Sequence, residues 1–226
     1  MTGSKEHSPP PPSDRARLRR ARHKAAYDLE TIAAILDAQP LAHLGVIMDG
    51  WPAVFPTMHW RMGERVYIHG SRGGRKMKAA AGRPCCLTVS ILDAWKLARS
   101  AFHHSVNFRS VMIYARPRLV ADDEKKACLE AMIDAYFPGR SRLLRPMTEK
   151  ELKITTVLEF SLDEASAKTG SGPVADEEED LSLPIWAGVV PAVATAGTPI
   201  PDAHNPPGLA LPDHVIPTCL RKRMEE

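Results

Sequence analysis

Apolar and polar positions follow two periods along this chain, and the switches between them mark its elements. Leu29, Ile32, Ala33, Ile35 and Leu36 recur at helical spacing, which predicts an amphipathic helix over residues 28–39, ended by Pro40. The period then drops to two. Leu41–Met48 reads as a strand, Asp49-Gly50 as a hairpin turn, and Trp51–Met62 as the return strand. Pro52 and Pro56 give that strand an edge or irregular ladder. Gly63-Glu64 turns the chain into a third strand over residues 65–69.

A glycine-rich stretch, Gly70-Ser71-Arg72-Gly73-Gly74, runs into a short basic helix over residues 75–81, and Gly82-Arg83-Pro84 breaks it. Residues 85–92 are strand-like, and strand character resumes at 94–97. A polar stretch over 103–110 leads into a strand over 111–120. Residues 122–137 form the clearest helix. Cys128, Leu129, Met132, Ile133, Tyr136 and Phe137 line one face, Asp122 or Asp123 caps it, and Pro138-Gly139 stops it. A further strand spans 154–162, and the chain turns irregular from Ser166. About six antiparallel strands with two or three peripheral helices make a mainly β fold. Closure into a small barrel removes its exposed edges.

Proline divides the chain further. The 20 prolines gather towards the two ends. We therefore expect a disordered, basic and Pro-rich arm over 1–24, one barrel domain over 25–170, and an irregular extension over 171–226 that packs on the barrel. The apolar island Pro184-Ile185-Trp186-Ala187-Gly188-Val189-Val190-Pro191 should dock on the body.

Charge changes the picture only at the N-terminus. The net charge is +3, but residues 1–25 carry seven basic side chains against two acidic ones, which leaves the body slightly acidic. That balance argues against nucleic-acid binding by the body. The arm reads as solvated. No run of about 18 apolar residues exists, so no membrane span is expected. The N-terminus lacks an apolar signal region, which makes the cytoplasm the expected location. Cys85, Cys86, Cys128 and Cys219 include no CxxC pair and read as free thiols of a reducing compartment. The nine histidines form no HExxH and no Cys/His quartet, so no metal site is assigned.

Two stretches carry candidate chemistry. Strand, glycine loop and basic helix start follow one another from Arg65 to Lys78. Exposed amides with Ser71, Arg72, Arg75, Lys76 and Lys78 suit a phosphate. Ser105, Asn107 and Arg109 share one strand face, and Arg109 suits a bidentate contact to phosphate or carboxylate. His59 and His69, from neighbouring strands, are expected to converge beside a ligand ring with Trp60 and Tyr67.

The order of Asp49-Gly50-Trp51-Pro52, Pro56-Thr57-Met58-His59, Ile68-His69-Gly70-Ser71 with Lys76, Asn107-Phe108-Arg109-Ser110-Val111 and the Trp186 island resembles the pyridoxamine 5′-phosphate oxidase-related flavin-binding proteins. Within that group it is similar to the branch that includes nitroimidazole-resistance proteins. The resemblance spans roughly residues 27–217. It implies an FMN-binding split β-barrel, six-stranded, antiparallel and Greek-key-like, that forms a homodimer with FMN at the interface. On that resemblance Ser71, Arg75 and Lys76 hold the phosphate. Pro56, Thr57, Met58, His59 and Trp60 line the ribityl chain and ring, and His69 and Gly70 sit close to the cofactor. Ser105, Asn107, Arg109 and Ser110 match the family's Asn-Tyr-Arg-Ser stretch, with Phe108 in place of Tyr, and Trp186 closes over the isoalloxazine. Thr169 stands where the family has Arg.

The implied activity is that of an FMN-dependent oxidoreductase moving hydride between the flavin and a small organic substrate. No residue is assigned as a catalytic acid or base. Two alternatives stay open: a non-catalytic flavin-binding module, and a split barrel holding deazaflavin or haem, the latter because of His59, His69, His103 and His104.

Overall fold

In the computed structural model, residues 9–221 are described. Ten strands and five α-helices follow in chain order. The strands are β1 (Ala25–Ala26), β2 (Leu41–Met48), β3 (Trp51–Met62), β4 (Arg65–Ser71), β5 (Cys85–Leu97), β6 (Ser105–Ala115), β7 (Arg118–Leu119), β8 (Thr155–Ser161), β9 (Ala165–Gly170) and β10 (Gly188–Pro191). The helices are α1 (Leu29–Ala38), α2 (Arg75–Ala80), α3 (Lys125–Tyr136), α4 (Glu149–Ile154) and α5 (Thr218–Arg221).

The strands run β1-β9-β6-β5-β2-β3-β4-β8-β7, and every pair is antiparallel. The β2–β3 hairpin turns at Asp49 (φ 53°) and Gly50 (φ 80°), the left-handed pair that a two-residue turn between right-twisted strands requires. β3 then serves two sheets in succession. Residues 51–58 pair with β2, and His59–Met62 pair with Arg65–Ile68 of β4. β5 is shared in a similar way. One edge is filled by β6, so β2 at Cys86–Thr88 and β10 at Ala94–Leu97 both lie on the other.

Alternation splits the side chains into two cores. Leu44, Val46, Val66, Ile68, Leu87, Val89, Val111, Ile113, Leu158 and Phe160 face inward and pack on α1 through Ile32, Ile35 and Leu36. Asp28 starts α1, its carboxylate accepting from Thr31 N at 2.7 Å. The second core lies on the far side of β4: Trp60, Tyr67 and Val157 under Cys128, Leu129 and Tyr136 of α3 and Cys219 of α5.

Several expectations need adjustment. β6 starts at Ser105 rather than near residue 111, and Pro117 separates it from β7. Residues 165–170 form a further strand, β9, because their backbone groups close the ladder on β6; small side chains hid its alternation. Helix α4 was absent from the sequence reading, although Thr148 and Glu151 build a capping box. Glu124, not Asp122 or Asp123, precedes α3, while Asp122 pairs with Lys125 at 2.6 Å. The arm expected to be disordered over 1–24 docks where it is described: Ala16 is 2% exposed, Arg15 pairs with Glu164, and Ala25–Ala26 add to β9. Its residues 1–8 lie outside the described residues, as do 222–226 of the extension. Among the described residues no helix is long and apolar enough to cross a membrane.

His59 sits where β3 passes between the sheets and is 1% exposed. Its N–H donates to Pro40 O, its carbonyl accepts from the Tyr136 hydroxyl, and its Nδ1 is buried without a partner. Burial holds its imidazolium pKa down at about 4. The unfolded chain takes up a proton near pH 6.5 that the folded chain refuses until about pH 4. Stability is therefore full above pH 6.5 and falls as pH drops towards 4, by about 3 kcal/mol for this group. Urea unfolding at pH 7 and pH 4.5 should show a smaller loss in His59→Gln than in the native chain. An equal loss in both would remove His59 as the cause.

Candidate functional site

The basic loop and helix from Arg65 to Lys78 separate into distinct roles. Arg75 pairs with Asp49 at 3.0 Å, with both side chains largely exposed. Arg72 donates to the Lys153 carbonyl at 3.4 Å and, through its N–H, to the Ile154 carbonyl at 2.8 Å. Lys76 turns the other way. It is half-buried, its Nζ donates to Thr57 Oγ1 at 3.1 Å, and it has no acidic partner among the described residues. An ammonium with only a hydroxyl for company in a part-buried setting is a cation short of its counter-charge.

Gly70 has a packing reason to be glycine. A Cβ there would lie 2.9 Å from Met77 Cγ, so α2 settles onto β4 only where no side chain intervenes. Gly74 is equally tight against Ser71 O, at 2.9 Å. Ser71 itself is exposed at the mouth of this turn.

His69 lies beside Lys76. Burial first, and the Lys76 charge second, push its imidazolium pKa down, so the ring is neutral at pH 7. Its Nδ1 is buried without a partner. The ring stands 5.9 Å from Trp60, which in turn stacks on Tyr67 at 5.7 Å. The convergence expected of His59 and His69 does not occur. His59 is paired with Ile68 and Trp60 with Tyr67, so the period of two sends His59 inward and Trp60 to the face of His69. Thr57 shares the inward face with His59, while Pro56 and Met58 are exposed on the opposite one.

The second expected cluster lies elsewhere. β6 is separated from β3 by β5 and β2. Arg109 faces the same side as Val111 and Ile113 and is committed to Asp93, with contacts of 3.2, 3.0 and 2.7 Å. Asp93 is left unpaired by a bulge between Leu92 and Ala94. Arg109 thus has its own carboxylate and lines a cavity of about 570 Å³ with Asp37, Trp60, Arg61 and Tyr136. The sequence signal for this was the carboxylate set inside the apolar run Ile91-Leu92-Asp93-Ala94. Asn107 donates to Gly172 O at 3.1 Å, Ser110 to Lys168 O at 3.4 Å, and Ser105 is exposed. Trp186 is 67% exposed and folds over Gly188 on β10, where a Cβ would come within 2.8 Å of its ring. Within one chain, then, Lys76, Thr57 and His69 come together, Arg109 reaches only the cavity behind Trp60, and Trp186 beside β10 lies across β5 from β6. A cavity of about 850 Å³ contains none of the expected residues; Arg15, Ile47, Val54, Cys86 and Tyr114 are among its walls. No group of three or more His, Cys, Asp or Glu side chains is placed to hold a metal ion among the described residues.

Among solved structures, flavocytochrome Anf3 from Azotobacter vinelandii superposes with a TM-score of 0.87 at 46% identity, covering 92% of this chain and 97% of that one. The FAD and haem binding protein from Mycobacterium smegmatis gives 0.81 at 34% identity, covering 88% and 97%. A candidate 5-nitroimidazole antibiotic resistance protein from Bacteroides thetaiotaomicron gives 0.54 at 18% identity, covering 64% and 86%, and speaks for the fold alone. Curated proteins provide no match. The pyridoxamine 5′-phosphate oxidase family model matches residues 28–169, well over half the chain. With the antiparallel split barrel and these relatives, that match makes the chain a member of the pyridoxamine 5′-phosphate oxidase family of flavin-binding split barrels.

Proposed function

We propose that this chain binds a flavin nucleotide and works as a flavin-dependent oxidoreductase on a small organic substrate. The observation that carries the reading is Lys76, half-buried beside Thr57 and His69 with no acidic partner among the described residues. Lys76 and Ser71 would hold the phosphate, Thr57 would orient Lys76, and Pro56 and Met58 would line the approach to it. His69, neutral and with a buried free nitrogen, offers a hydrogen-bonding atom beside the ring without adding charge. Bound there, a flavin supplies hydride and electron transfer at its isoalloxazine. Arg75, spent on Asp49 at the surface, contributes little. FMN is the form that the sequence resemblance implies. The similarity to the mycobacterial FAD and haem binding protein favours FAD.

A second group, haem, is favoured by the same two full-length relatives, a flavocytochrome and a haem-binding protein. Two histidines fit an axial ligand. His69 has the buried unpartnered Nδ1. His104 is exposed and its Nδ1 is 2.8 Å from Ser100 O, the backbone contact that orients a ligating imidazole and leaves Nε2 for the iron. His59 is too buried, and His103 is 3.4 Å from Glu177.

Pairing of two copies fits the outer sheet face. Leu41 and Ile47 of β2, Val54 and Met58 of β3, Leu92 of β5 and Met112 of β6 are all exposed on it. An apolar sheet face of this extent calls for a cover, and a second copy of the chain would supply it.

Purified chain should carry flavin absorbance, and the mass of the released nucleotide separates FAD from FMN. Lys76→Ala should weaken flavin binding about 30-fold, as expected for one charge-assisted hydrogen bond, while Arg75→Ala should leave it nearly unchanged. Equal effects of the two would overturn the phosphate assignment. A haem Soret band lost in either His69→Ala or His104→Ala identifies the axial ligand, and a chain without a Soret band after haem addition refutes the haem reading. Light scattering should give twice the mass of the chain, and Val54→Glu, at the centre of the apolar face, should halve it.

A further inference from the structure

The far side of β4 holds a row of three rings, two of which, Trp60 and Tyr67, can be oxidised by one electron. His69, Trp60 and Tyr67 follow one another with centroids 5.9 and 5.7 Å apart, and the last two are stacked. Trp60 is 1% exposed and Tyr67 6%. Their hydrogen bonding differs in the way that matters for one-electron chemistry. Trp60 Nε1 is buried with no acceptor, so an oxidised indole has nowhere to send its proton. The Tyr67 hydroxyl donates to Glu159 Oε2 at 3.0 Å, so an oxidised phenol has a base in place. Glu159 is held ionised, chiefly by its hydrogen bond to Arg118, 2.7 Å away. Arg118 is half-exposed, so the series ends at the surface.

We infer that Trp60 and Tyr67 form a relay that carries oxidising equivalents from the redox group beside His69 to the surface at Glu159 and Arg118. The inference rests on the reading that such a group binds beside His69. With haem held by His69, the oxidant would be a peroxide, which consumes two electrons and two protons and leaves as two waters. Each electron is drawn from Tyr67 through Trp60. With each, the phenolic proton of Tyr67 passes to Glu159 Oε2 and leaves a neutral tyrosyl radical. A surface reductant of the phenol or ascorbate class then returns one electron and one proton, which restores Tyr67. Trp60 conducts but does not trap, because its cation keeps its proton. Tyr67 is the trap because it loses one.

Two arms test this on the full chain. In the first, protein loaded with haem is mixed with hydrogen peroxide and freeze-quenched for electron paramagnetic resonance. In the second, protein without haem is oxidised by flash-generated tris(bipyridine)ruthenium(III), and the oxidised tyrosine is located by spin trapping and peptide mapping. In the second arm the native chain should yield a radical at Tyr67. Tyr67→Phe should abolish it, Glu159→Gln should leave a longer-lived tryptophan signal in its place, and Trp60→Phe should reduce the yield at Tyr67. Cys128→Ser should leave the tyrosyl signal intact, since the neighbouring thiol is kept protonated by burial. A native chain with no radical at Tyr67 in the second arm overturns the relay. A silent first arm with a working second arm refutes the bound oxidant beside His69 and keeps the relay.

Discussion

Everything distinctive in this molecule depends on β3 serving two sheets. One strand pairs first with β2 and then with β4, and where it crosses over, successive side chains face different cores. His59 is driven into the barrel beside α1, and Trp60, one residue on, into the layer under α3. The period of two admits no compromise, so a histidine is buried neutral and an indole N–H is buried without an acceptor, both at the same joint. Tyr136 reaches from α3 to bond the His59 carbonyl, which ties the second core to the joint.

Electrostatics then sorts the cations near the candidate site into those with a carboxylate partner and one, Lys76, without such a partner among the described residues. Arg61 is held by Asp37, Arg75 by Asp49, Arg99 by Asp176, Arg109 by Asp93 and Arg118 by Glu124 and Glu159. Among the described residues, Lys76 has the Thr57 hydroxyl and no carboxylate. A part-buried cation without a counter-charge is a cost to the fold, and its charge adds to the burial that already lowers the pKa of the neighbouring His69.

Some of this was legible in the residues alone. The Asp49-Gly50 hairpin, α1 and its end at Pro40, the long strands of the meander and the helix stopped at Pro138-Gly139 all follow from local chemistry, and the structure has them. Strand β9 was not legible, because Ala165, Ser166 and Ala167 are too small to show alternation and are buried only by pairing with β6. Docking of the arm at Ala16 and Arg15 was hidden for a similar reason: a basic, Pro-rich stretch reads as solvated until Glu164 and the outer face of β6 are beside it.

The sequence by itself determined the alternation, the turns, the family and the set of residues from which a site is built, since these rest on short-range backbone preferences and on the order of motifs. Tertiary structure alone decided which members of that set meet. It paired Arg109 with a bulged Asp93, turned Arg75 out to Asp49, sent His59 and His69 to opposite faces and left Lys76 uncompensated. Those outcomes depend on register and on which charges end up within a few ångströms across strands far apart in the chain. Local pattern carries no record of that distance.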